Sequence, residues 1–178
     1  NAGNSIASGG NYNVAVGDEA GTAISTGDNN TFIGYAAGDA NTTASNNTAV
    51  GHNSGGAITT GFNNTAIGAS AMDAMTIGDY NTAVGMYALT ADTQGAQSTA
   101  IGYGALYAQN DNAETNFYNT AVGSQAGAAI TTGIQNTLIG ASAGDASTIG
   151  RYNTALGYTA LGTDIDGDFS TAIGFATL

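Results

Sequence analysis

Three carboxylates stand on alternate residues in TDIDGDFS, as Asp164, Asp166 and Asp168, with Gly167 between the last two. Oxygen donors at that spacing suit Ca²⁺, but the distal Glu of a helix–loop–helix calcium loop is missing. The run is therefore read first as a solvated acidic turn and second as a calcium site, and no other cofactor is expected. His52 is the only histidine and cysteine is absent. Ser-His-Asp chemistry, thiol nucleophiles and zinc sites thus have little to draw on. The 13 acidic residues face one cation, Arg151, for a net charge of −12. That balance cannot neutralise a phosphate backbone or an anionic membrane surface, so nucleic acid is not expected as a partner. No apolar run approaches the ~18 residues of a membrane span, so insertion is not expected either.

The elements that hold these residues come from an internal repeat. The string Asn/Ser-Thr-Ala-Val/Ile-Gly recurs with its glycine at 17, 34, 51, 68, 85, 102, 123, 140, 157 and 174. All intervals are 17 residues except the 21 from Gly102 to Gly123. Ten units, a four-residue insertion within 109–117 and a four-residue tail account for all 178 residues, which leaves one domain, 1–178. HNSGGAITTGFNNTAIG (52–68) returns as SQAGAAITTGIQNTLIG (124–140), the mark of a duplicated four-unit block.

A 17-residue unit is too short for two-helix repeats and carries no apolar stripe of helical period. One coil of a parallel β-solenoid, or β-roll, fits it, so the fold class expected is all-β, with ten 17-residue coils and one loop insertion. Positions are numbered here from 1 after each motif glycine. Thr-Ala-Val/Ile at 14–16 is a short strand whose alternation puts 14 and 16 on one face and 15 on the other. Sending the branched aliphatics of position 16 inward makes position 14 inward too, with Val14 replacing the usual Thr. Thr65, Thr82 and Thr137 would then form a buried hydroxyl ladder. Asn at 13 (Asn30, Asn47, Asn64, Asn81, Asn119, Asn136, Asn153) suits a ladder of amides bonding along the axis. Ala columns at 3 and 6 imply a thin core between two close β layers, and Gly at 10 and 17 marks bends.

On that phase position 15 faces out, as Ala15, Phe32, Ala49, Ala66, Ala83, Ala100, Ala121, Leu138, Ala155 and Ala172. An uncharged stripe of small apolar residues along a rod is expected to pack on another copy of the chain. The units also start and stop without a polar cap, which favours continuation or end-to-end stacking. Aromatic residues gather at position 12 (Tyr12, Tyr80, Tyr118, Tyr152, Phe169), read as a packing ladder first and a grip on surface glycans second. His52 falls at position 1, in a column with Tyr35, Tyr103, Tyr158 and Phe175, and is read as a surface substitution. Asp39, Asp73 and Asp145 share position 5 but lie at least two coils apart, too far to work as a catalytic pair. Position 8 is largely Thr (Thr42, Thr59, Thr76, Thr93, Thr131, Thr148), but no second Thr column lies beside it, so ice binding ranks last.

The runs NTAVGMYALTADTQG, STAIGYGALYAQN and NTALGYTALGTDIDG resemble the 17-residue repeats of phage tail-fibre and bacterial surface-fibre proteins. They are also similar to the NSVAIG-type repeats in the left-handed β-roll heads of YadA-like trimeric adhesins, whose units are usually shorter. The resemblance covers the whole chain. It implies a trimeric β-roll in an extracellular, cell-surface or virion fibre. The function expected is therefore a non-enzymatic structural or adhesive module that binds copies of itself. The alternatives are an end-to-end filament and, third, an ice-binding solenoid.

Overall fold

The computed structural model describes residues 2–3 and 9–177. Each unit contributes one three-residue strand: β1 (Val14–Val16), β2 (Thr31–Ile33), β3 (Thr48–Val50), β4 (Thr65–Ile67), β5 (Thr82–Val84), β6 (Thr99–Ile101), β7 (Thr120–Val122), β8 (Thr137–Ile139), β9 (Thr154–Leu156) and β10 (Thr171–Ile173). They form one parallel sheet in sequence order. The register pairs like with like, as in Thr65 with Thr82, Ala66 with Ala83 and Ile67 with Val84. The fold is the expected all-β solenoid with a 17-residue step.

Among the described residues the expected second β layer does not form, and the wall opposite the sheet is made of stacked turns. Its backbone still bonds coil to coil: the Gly21, Ala23 and Ser25 N–H groups donate to the carbonyls of Ala37, Asp39 and Thr42 at 3.0, 3.1 and 2.9 Å. Left-handed residues at positions 2 and 4, such as Ser70 and Met72 (both φ +52°) or Tyr87 (φ +60°) and Leu89 (φ +52°), prevent that segment from running as a strand. Position 17 must be glycine for two reasons. Its φ lies between +123° and +141°, and a Cβ on Gly85 would stand 2.5 Å from the carbonyl oxygen of Gly102.

The core is a thin column filled by positions 3, 4, 7 and 15. Its volumes are traded between neighbouring coils. Phe32 at position 15 is fully buried because position 4 beside it is Gly21 and Gly38, where a Cβ would come within 3.1 and 2.6 Å of its ring. Leu138 is housed the same way by Gly127 and Gly144. Where position 15 is Ala, position 4 can be large, as Met72, Leu89 and Leu106 are, all fully buried.

Candidate functional site

The phase of the strands decides which residues any partner can reach, and it is the reverse of the one expected. Phe32, Ala49, Ala66, Ala83, Ala100, Ala121, Leu138, Ala155 and Ala172 are buried in the core, with Ala15 partly buried against it. Position 15 therefore cannot be a self-association face. Alternation allows two phases, and a slip by one residue exchanges the faces completely. Interior width selects between them: a column in which Phe32 fits only opposite two glycines has no room for a branched side chain from every coil.

Positions 14 and 16 accordingly form the outer surface of the sheet. Val16, Ile33, Ile67, Ile101, Ile139, Leu156 and Ile173 are exposed, from 38 % at Ile101 to 65 % at Ile173. The threonines beside them, including Thr65, Thr82 and Thr137, are half-buried or exposed, so the expected inward threonine ladder at position 14 does not form. The hydroxyl ladder lies instead at position 8: Thr42, Thr59 and Thr76 donate to the carbonyls of Thr59, Thr76 and Thr93 at 3.1, 3.1 and 2.8 Å. None of the chain's 13 acidic residues, nor Arg151, occupies position 14 or 16. With strands ~4.8 Å apart, the two columns run roughly 43 Å from β1 to β10.

The buried polar ladder is the asparagine one. Each Asn at position 13 accepts the backbone N–H of its successor and donates its amide to a carbonyl of the following coil. Asn47 Oδ1 takes the Asn64 N–H at 2.9 Å, and Asn47 Nδ2 reaches the Gly61 carbonyl at 2.8 Å.

The three carboxylates of the acidic turn have separate structural partners. Asp164 Oδ1 accepts the Gly167 N–H at 2.8 Å, Asp166 Oδ1 the Thr148 hydroxyl at 3.1 Å and Asp168 Oδ1 the Arg151 N–H at 2.7 Å. Among the described residues no group of three His, Cys, Asp or Glu side chains is placed to hold a metal ion. The position-12 aromatics are all exposed and all left-handed, but only Tyr152 and Phe169 stack, at 4.8 Å. Asn29, Asn46, Asn63, Gln97 and Gln135 share the column and break it into separate rings. His52 stacks on Tyr35 at 5.3 Å, as a member of an aromatic column should.

No family model matches the chain, and comparison with curated proteins and with solved structures finds no match either. What can be argued about function rests on the surface itself.

Sequence reasoning missed positions 14 and 16 as the exposed face. The signal that could have found them is the pairing of Phe32 and Leu138 with glycines at position 4, since a side chain that requires glycine neighbours must be internal.

Proposed function

We propose that the chain is a non-enzymatic structural or adhesive module of an extracellular, cell-surface or virion fibre, and that it associates with copies of itself, as a trimer, through the outer face of the sheet. The observation that carries this reading is the composition of that face. Two columns, one of Thr with Val14 in the first coil and one of Val, Ile or Leu, run the length of a molecule with net charge −12 and hold no charged residue. Long apolar surface without charge marks an interaction site, and a face repeating every coil fits another copy of the same repeat. The resemblance to fibre repeats points the same way.

Light scattering tests it. A species of about 52 kDa, three chains of 17.4 kDa, is the expected result. Val84→Glu and Ile101→Glu should reduce it to monomer by placing unpaired carboxylates in a dry contact. Their circular dichroism should not change, because both side chains point away from the core. A 17.4 kDa monomer at every concentration, or full assembly in both variants, overturns the proposal. Mass that grows with concentration without limit favours the end-to-end filament.

One observation favours a second reading. Regular outward rows of Thr and branched aliphatics on one parallel sheet are also a surface that could order water, so ice binding is carried as the alternative. Thermal hysteresis at micromolar protein supports it, and its absence removes it.

A further inference from the structure

The lateral surface of coils 6–8 carries a feature that the regular repeat does not. Position 2 is Tyr87 in coil 6, Gly104 in coil 7 and Gln125 in coil 8, all with φ between +58° and +60°. The column therefore lacks one side chain between two large ones. A Cβ placed on Gly104 would meet nothing closer than Gln125 Cγ at 4.0 Å, so the gap is open space. Tyr103 and Tyr107 flank it from the same coil. Together with Ala128 these residues line a cavity of about 370 Å³. The Tyr103 and Tyr107 rings stand at 74° and 80° to Tyr87, with centroids 6.3 and 6.4 Å away, so the three form walls rather than a closed stack. All three are exposed, between 40 % and 49 %.

We infer that this slot binds a neutral sugar ring of a glycan. Aromatic walls offer flat apolar surface for the C–H face of a pyranose, while the phenol hydroxyls and the Gln125 amide supply hydrogen-bonding groups at the edges. Ligand pockets of ~300–1,000 Å³ with aromatic linings and a few polar groups are the common form of a small-molecule site. None of the six lining residues is charged, and the surrounding chain is strongly acidic, so an uncharged saccharide fits better than an anionic one. The inference does not rest on self-association: the slot is built from positions 1, 2 and 5, and the proposed contact face from 14 and 16.

Saturation-transfer NMR with cellohexaose, maltohexaose, laminarihexaose, mannohexaose and N-acetylchitohexaose is the test, run on the full chain. Transfer to at least one of these probes is expected, with an affinity lowered by about fivefold or more in Tyr107→Ala, which removes one stacking ring. Gly104→Gln fills the slot with the residue that position 2 of coil 8 already carries at nearly the same φ, so the fold should tolerate it while binding is lost. Circular dichroism and light scattering on the same samples separate lost binding from lost fold or lost assembly. No transfer to any of the five probes, or equal transfer in well-folded Gly104→Gln, overturns the inference.

Discussion

The asparagine ladder is unbroken on both sides of the molecule and interrupted in the middle. From Asn30 through Asn47, Asn64 and Asn81 to Ser98, each rung accepts the next coil's N–H at 2.9 Å. The ladder resumes from Asn119 through Asn136 and Asn153 to Ser170 at 2.8–3.0 Å. Between them Ser98 stands where an Asn would be, its hydroxyl meeting the Gln109 side chain of the next coil rather than a backbone group, and the four-residue insertion follows. Gln109 bridges the gap: its amide donates to Asp92 Oδ2 at 2.7 Å and to Ser98 Oγ at 3.0 Å, and its Oε1 accepts from Asn119 at 2.9 Å. Phe117 closes the insertion by burying its ring against Gly95. The regular rungs need no ionisable group, whereas the joint is satisfied only by including the carboxylate of Asp92, which is fully buried. A repeat can thus lose a rung if another side chain restores the hydrogen bonds, and here the substitute brings a buried acid with it.

The largest effect should come from removing what both regions share. Gly85→Ala places a methyl group 2.5 Å from a carbonyl oxygen at a φ of +132°. It should cost more than about 3 kcal/mol, or abolish folding, by urea denaturation. Gly104→Ala is its control, with φ +60° and open space, and should cost about 1–2 kcal/mol. Similar losses in both would mean that close approach between coils is not what demands glycine.

The ladder itself comes next. Asn64→Ala leaves the Asn81 N–H and the Gly78 carbonyl without their buried partners and should cost roughly 2–5 kcal/mol. Ser98→Ala removes one hydroxyl from a cluster in which Gln109 keeps its bonds to Asp92 and Asn119, so about 0.5–1.5 kcal/mol is expected. Equal costs would erase the difference between rung and joint.

A smaller effect separates the joint by pH. Burial pushes the Asp92 carboxyl above its ordinary value of 3.8, against hydrogen bonds from Gln109, Gly95 and Gln94 that favour the charged form. An acid whose folded pKa is raised binds more protons folded than unfolded. Its contribution is complete below 3.8 and is lost as pH rises through the folded value. The wild type should therefore lose stability relative to Asp92→Asn as pH is raised above about 4, and the difference should be flat below that. Denaturation at a series of pH values checks the sign. An opposite slope would show that the three hydrogen bonds outweigh the burial.

Much of this was legible in the sequence. The spacing of the motif glycines sets the coil length, the number of coils and the place of the insertion, because identical residues at a fixed interval can be satisfied together only by stacking in register. The asparagine ladder was legible for the same reason: a polar residue repeated in every coil finds its partner in the next copy of itself. The phase of the strand was not. Thr-Ala-Val/Ile reads equally well with either face inward, and placing the larger aliphatics inside is the choice hydrophobicity alone suggests. Only the tertiary structure shows that the opposite wall is built of turns, with left-handed residues at positions 2 and 4, and that the space left admits alanine but not a branched side chain from every coil. Packing volume, a property of the closed coil and of no single unit, sent Ile67 and Ile101 outward and Ala66 and Ala100 in.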